Sequence, residues 1–293
     1  MRRFKQILVG VDESDASIHA LDQAIHLAGW SHAHITALTV VPPYEGDLSL
    51  VGTRHPKKLM EEPGLHALKR AWKAAEARSF PIDIGYDTGN PVKAILSHAD
   101  AIHADLVVIG SRKNHSILAS LLRGTCFEMI RNCRRNLLLV PEDAHLDWVH
   151  IYVLLSGHKT DADFVIQSLE LAAMHGGKSL TVSVPSDIPE TMVNRIYDTD
   201  SLRRTLDQIR KTHIHRMDIH QCRMVRRSTD SSPYPEKLPE NTSLVILPIP
   251  MGNHLQRFRD SILREKLMRS SGFPMMQLHP DPKLQKIGTT GGR

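Results

Sequence analysis

Five short apolar runs in the first 141 residues restrict what this chain can fold into. They are QILVGVD (Gln6–Asp12), AHITALTVV (Ala33–Val41), PIDIGY (Pro81–Tyr86), DLVVIG (Asp105–Gly110) and NLLLVP (Asn136–Pro141). Each is too short for a helix and bounded by Gly, Pro or polar residues, so each reads as a strand: QILVGVD as a buried one, PIDIGY by its alternation. Between them the apolar residues recur at helical spacing. Leu21, Ala24, Ile25 and Ala28 do so after DESDAS, where Ser14 or Asp15 suits a helix start. Val92, Ile95, Leu96, Ala99 and Ile102 do so after Gly89-Asn90-Pro91, a turn with Pro placed for the first helical position. Leu65–Arg78 and Leu118–Cys133 also read as helices, and the polar stretch before Gly64 as a loop. Strands that alternate with helices build a parallel sheet covered on both faces.

The pattern then restarts. After a linker at Glu142–Val149, HIYVLLS (His150–Ser156) echoes the first strand, and Phe164, Ile166, Leu169, Leu171 and Ala172 suggest the first helix. KSLTVSVP (Lys178–Pro185) echoes AHITALTVV, Arg216–Arg226 reads as a third strand, SLVILP (Ser243–Pro248) echoes DLVVIG, and Pro274–Leu278 echoes NLLLV. This is an internal repeat of roughly 140 residues, weak in identity and consistent in order. One part is missing: SSPYPEKLPEN (Ser231–Asn241) carries three prolines where the first half has its Pro91 helix, which forbids a regular helix there. The expected organisation is two tandem five-stranded α/β domains, 1–143 and 148–280. The tail 281–293 is expected to be disordered.

With 41% hydrophobic and 24% charged residues the chain has ordinary globular composition. Its net charge of +5 is spread rather than concentrated. The densest basic stretch, Arg203–Arg227, holds no interleaved aromatic residues for stacking bases, so it reads as a solvated helix face and a strand, not as a nucleic-acid site. Three cysteines without regular spacing make no disulfide framework, the start MRRFKQILVGVD has too short an apolar run for a signal peptide, and no stretch of about 20 apolar residues occurs, which together fit a reducing cytoplasm. His213, His215, His220 and Cys222 cluster within ten residues, but among 18 histidines such a cluster reads as a polar strand edge rather than a zinc site. Cys126 and Cys133, seven apart, are expected to pack on one helix face.

In open parallel sheets, ligands bind beyond the carboxyl ends of the strands, where strand order switches. Asp12, Val40 and Gly110 stand at such ends, and the polar loop with Ser111 and Arg112 leads to Gly124-Thr125 at a helix start or break. Gly permits close approach of a phosphate, N–H groups at a helix N-terminus attract anions, and a Thr hydroxyl there donates to a phosphate oxygen. No paired carboxylates or ordered triad accompany His115 and Ser116, so no catalytic residue is assigned.

ILVGVDESDAS, a strand ending in VVP, GNPVKAIL, ADLVVIGSR and RGT…NLLLVP occur in the order seen in universal stress proteins, and the chain resembles that family over Gln6–Pro141, with a weaker likeness over His150–Leu278. The resemblance implies a five-stranded parallel fold related to adenine nucleotide α-hydrolases and, in many members, an ATP-class adenine nucleotide with magnesium accompanying it. It implies that Asp12 contacts the adenine or ribose side, that the Val40 backbone meets the base, and that Gly110, Ser111, Gly124 and Thr125 cradle phosphates. It further implies a stress-response sensor or regulator, not an enzyme, that pairs its two halves internally or forms homodimers and acts on protein partners. Two departures bear on this. Lys113 stands where the family's second glycine is expected, and the spacing from Gly110 to Gly124 is one residue longer than the family's motif. In the second half Ser156 replaces Asp12, Pro248 replaces Gly110, and Arg259-Asp260-Ser261 is set against Arg123-Gly124-Thr125, so no nucleotide is expected there. The competing readings are a nucleotide-independent scaffold acting through protein contacts and a slow ATPase in the same cleft.

Overall fold

The computed structural model describes residues 4–41, 56–112, 124–155, 161–186, 189–191, 207, 221–227, 234–235, 237–249 and 254–279. The chain divides into two compact units, Arg3–Ala144 and His145–Arg293.

The first unit carries β1 (Gln6–Gly10), α1 (Asp15–Ser31), β2 (His34–Val41), α2 (Pro56–Ala77), β3 (Asp83–Thr88), α3 (Pro91–Ala101), β4 (Leu106–Ser111), α4 (Thr125–Asn132) and β5 (Asn136–Pro141). Its strands run parallel in the order β3-β2-β1-β4-β5. Strand β1 thus has β2 on one side and β4 on the other, and the order reverses between β1 and β4. The centre of this sheet is wholly apolar: Ile7, Leu8, Val9, Leu106, Val107, Val108, Leu137 and Leu138 have no exposed surface. Burial on both faces is what produced continuous rather than alternating apolar runs.

Local chemistry sets the helix starts. The Ser14 side chain accepts from Ser17 N–H at 3.2 Å and caps α1. Asn90 accepts from Lys93 N–H at 3.0 Å and caps α3, with Pro91 in the first turn. Helix α2 begins nine residues before the expected start and carries Pro63 inside it. The proline removes one backbone bond, and packing offsets it: Gly64 lies so close to β2 and β3 that a Cβ would come within 2.6 Å of Val41 and 3.1 Å of Tyr86. Strand β3 starts two residues later than expected, beyond Pro81. Of the expected helix Leu118–Cys133, only the part from Thr125 lies among the described residues, and it ends at Asn132.

The second unit carries β6 (His150–Leu154), α5 (Asp161–Met174), β7 (Ser179–Pro185), β8 (Gln221–Arg227), β9 (Leu244–Pro248), α6 (His254–Ser271) and β10 (Met275–Leu278). Its parallel order β8-β7-β6-β9-β10 repeats that of the first unit strand for strand. Single hydrogen bonds repeat as well. Val11 N–H donates to Leu38 O at 2.9 Å, and Leu155 N–H donates to Ser183 O at 3.0 Å. Asp105 N–H donates to Gln6 O at 2.9 Å, and Ser243 N–H to His150 O at 2.8 Å. Among the described residues, 234–235 and 237–243 form no helix, as the prolines required. The tail from 280, Ser156 and the histidines at 213, 215 and 220 lie outside the described residues. No helix among the described residues is long and apolar enough to cross a membrane.

One packing feature of the second unit makes its stability depend on pH. The His175 ring stacks on Trp148 with centroids 4.3 Å apart, and its Nε2 is buried with no hydrogen-bond partner among the described residues. Burial pulls the His175 pKa down from 6.5 to about 4. The folded unit keeps this ring neutral where the unfolded chain protonates it. The unfolded state therefore binds the extra proton between pH 6.5 and pH 4, and stability is full above that window and lost as pH falls through it. Urea denaturation at pH 7 and pH 4.5 should show a loss on the order of 2–3 kcal/mol that His175→Phe, which keeps the stack, removes. An equal loss in the variant would assign the pH dependence to other groups.

Candidate functional site

The carboxyl ends of β1, β2 and β4 meet along one edge of the first unit's sheet. Register sets the meeting: Gly10 is opposite Leu38 of β2 and Ile109 of β4. Asp12 follows β1 by two residues. Its Oδ1 accepts from Ser14 N–H at 2.9 Å and from the Ser14 hydroxyl. Its main chain is fixed by Ser17, whose hydroxyl accepts from Asp12 N–H at 3.0 Å and donates to Asp12 O at 2.9 Å. Its Oδ2 lies 3.6 Å from Arg112 Nη2, just past the end of β4. Partial burial pushes the Asp12 pKa up, but the Ser14 hydroxyl and N–H, Ser17 and Arg112 outweigh it and hold the carboxyl below its ordinary value. The acid is thus ionised and fixed in direction at neutral pH.

Helix α2 holds the same turn from the other side. Arg70 donates to Glu13 O and pairs with Asp15 at 2.5 Å, and His66 Nδ1 lies 3.1 Å from Glu13 Oε1. These contacts to α2 were not anticipated from the sequence. Charge alternation within each element is a local signal, and the contacts join residues more than 50 apart.

Val40 sits near the end of β2. Leu38 turns its carbonyl to β1 and Val41 turns its carbonyl to Gly89 N–H at 2.9 Å on the β3 side. Backbone direction alternates along a strand, so Val40 directs its N–H and C=O to the β1 side, where β1 has already ended.

Gly110 is glycine for a structural reason first. A Cβ there would lie 2.3 Å from Ala16 O, 2.5 Å from Ala16 C and 2.8 Å from Ser17 N, all backbone of the first turn of α1. The residue lets α1 sit directly on the end of β4. Its carbonyl accepts from Cys126 Sγ at 3.6 Å, in the first turn of α4. Ser111 is buried, and its carbonyl accepts from Glu142 N–H at 3.0 Å. Gly124 is the N-cap of α4, extended at φ −79° and ψ 144°, and among the described residues no side chain caps the helix. Thr125, Cys126 and Phe127 form the first turn of this helix, at the positive end of its dipole, and Thr125 is exposed. Asp12, Val40, Gly110 and Ser111 are thus brought to one sheet edge, with Gly124 and Thr125 tied to it through the Cys126 contact. Lys113 and the rest of the long loop lie outside the described residues. Cys126 is half-buried at the site rather than in the core, whereas Cys133, just past the helix, is buried and its thiol is pushed up to about 11 by burial.

In the second unit the equivalent position is filled. Arg264 of α6, 2% exposed, donates from Nη1 to Pro248 O at the end of β9. It stands sixteen residues after its carbonyl partner, as Cys126 stands sixteen after Gly110. That contact aligns Arg264 with Cys126 and Ile262 with Gly124, which corrects the alignment of Asp260 with Gly124 by two residues; the shared Arg-x-Ser/Thr of the two segments had suggested the other register. Helix α6 begins at His254, so the N–H groups equivalent to the first turn of α4 lie inside a helix. They bond to carbonyls four residues earlier and have nothing to offer an anion.

A sequence model of the universal stress protein family matches residues 3–141. Over 146 residues the chain is 30% identical to the universal stress protein MJ0531 of Methanocaldococcus jannaschii, covering 47% of this chain and 83% of that protein. It is 33% identical over 118 residues to the universal stress protein YxiE of Bacillus subtilis, covering 37% and 80%. A crystal structure of a universal stress protein from Archaeoglobus fulgidus superposes with a TM-score of 0.66 at 16% identity over 95% of this chain and 97% of that one, a likeness of fold. The chain belongs to the universal stress protein family.

The close approach at Gly110 separates a packing role from any binding role. Gly110→Ala should destabilise the protein by about 1–3 kcal/mol in ligand-free denaturation, because the new methyl meets backbone that cannot move aside. Unchanged stability would show that α1 can shift away from β4 without cost.

Proposed function

We propose that the first unit binds an adenine nucleotide of the ATP class and that the protein works as a non-catalytic stress sensor or regulator. The observation that carries this reading is the start of α4 at Gly124, tied by the Cys126 contact to the edge where Asp12 and the Val40 backbone also stand. The phosphates would lie against the N–H groups of Thr125, Cys126 and Phe127, with magnesium arriving on the nucleotide, while Asp12 accepts from ribose hydroxyls or the base. Gly110 and Ser111 form the floor, held by α1 and by Glu142 N–H. Arg112 has the reach to change partner. Its pair with Asp12 is long, at 3.6 Å, and both side chains are more than half exposed, so breaking it costs little and a phosphate can compete for the guanidinium. In this reading the second unit is a degenerate copy that binds no nucleotide, since the N–H groups of its corresponding turn are bonded within α6.

One feature favours the scaffold reading instead: the Asp12 carboxylate already has partners at both oxygens, Ser14 and Arg112. Calorimetry decides. Nucleotide-stripped protein titrated with ATP, ADP and AMP, with and without magnesium, should bind at one site per chain. Gly124→Asp supplies α4 with its own anionic cap and leaves the helix well terminated, so it should preserve folding and weaken nucleotide binding roughly tenfold or more. No binding to the parent protein at millimolar nucleotide would give the lead to a nucleotide-independent scaffold, and unchanged affinity in the variant would remove α4 from the site.

A further inference from the structure

Arg264 of the second unit poses a problem that nothing in the first unit poses. It is a guanidinium with 2% exposure, and Born solvation makes such a charge tenable only when an anion and hydrogen-bond acceptors meet it. The acceptors come from four places. Pro248 O stands at the end of β9, Gln277 Oε1 lies 3.4 Å from Nη1 on β10, the Tyr234 hydroxyl accepts from Nε at 2.8 Å, and Asp260 Oδ2, one helical turn back, lies 2.7 Å from Nε. The Tyr234 hydroxyl in turn donates to Asp260 Oδ1, and the Arg264 guanidinium lies 5.7 Å from the centroid of the Tyr234 ring. Burial raises the Tyr234 pKa well above its ordinary value, so the phenol remains a donor. Both Asp260 oxygens are therefore held, one by a cation and one by a hydroxyl. This is how a protein holds an oxyanion.

We infer that the Asp260 carboxylate is a resident anion, standing in the second unit for a small bound oxyanion such as phosphate and closing an oxyanion site made of Arg264 and Tyr234. The site lies at the carboxyl end of β9, and Asp260, 23% exposed, faces it from the side nearer solvent. Its occupation by the chain's own carboxylate ties β9, β10, α6 and the Tyr234 segment together without any ligand. This inference does not depend on nucleotide binding by the first unit.

The test removes the resident anion and offers another. Asp260→Ala leaves Arg264 buried without a counter-charge, which should lower the melting temperature by roughly 5–10 °C. Inorganic phosphate should restore about half of that loss in a saturable manner, whereas sodium chloride at equal ionic strength should not. The parent protein, measured in parallel, supplies the phosphate response of every other site, and only the excess in the variant is read. The double variant Asp260→Ala/Arg264→Met should lose the excess response. Should Asp260→Ala fail to fold, Asp260→Asn, which keeps the shape and one acceptor, takes its place in the same titration. A phosphate response no larger than that of the parent protein, an unchanged melting temperature in the variant, or an excess response that survives Arg264→Met would each overturn the inference.

Discussion

The first turn of α1 lies against the end of β4, and most of the site follows from that contact. The sheet order reverses between β1 and β4, so the chain leaving β1 must cross the end of β4 as it enters α1. Only a residue without a Cβ fits beneath it, because Ala16 O would stand 2.3 Å from one. Once α1 is seated there, Ser14 and Ser17 are fixed at its start, and they in turn fix Asp12. Arg112 leaves β4 on the same side and meets that carboxylate. The direction of the acid is thus a consequence of backbone packing, and its ionisation a consequence of the serines that the helix start places around it.

The two units show the same frame with opposite solutions at one point. A side chain from the helix between the fourth and fifth strands reaches the carbonyl at the end of the fourth strand in both, sixteen residues on. In the first unit it is the Cys126 thiol, neutral and short, and the helix starts one residue before it. In the second it is the Arg264 guanidinium, and the helix has already run for ten residues. A neutral contact leaves the helix N-terminus as the source of positive potential, directed outward. A cationic contact brings a full charge inward, which then requires an anion at once.

Much of this was legible in the sequence, and the reason is physical. Strands buried on both faces leave continuous aliphatic runs, so β1, β2, β4 and β5 could be read directly, whereas β3, exposed at Ile84 and Tyr86, showed only as alternation; the prolines of 231–241 marked a stretch whose described residues form no helix. Asp12, Val40 and Gly110 were legible because each ends such a run. The start of α2 was not, because Pro63 and Gly64 look like a break locally and are retained by packing on Val41 and Tyr86 that no local pattern encodes. The ties from His66 and Arg70 to the Asp12 turn were hidden for the same reason. The alignment of Asp260 with Gly124 failed because similar residue types were matched across a stretch where one unit has loop and the other helix; a hydrogen bond to an equivalent carbonyl is the firmer marker.

The contrast between the units also explains why charge counting is a poor guide to this site. The helix of the second unit carries Arg257, Arg259 and Arg264, yet Arg264, the buried cation among the described residues, is committed to Asp260, Tyr234 and Pro248 O. The first unit has no buried cation at the corresponding place. The cation near that edge is Arg112, an exposed residue in a weak pair with Asp12. A committed guanidinium fixes structure and offers no affinity, whereas the start of a helix carries positive potential along its axis. The half proposed to bind is the one that starts a helix at this edge, whereas the other half spends the same turn inside a helix and on a buried ion pair.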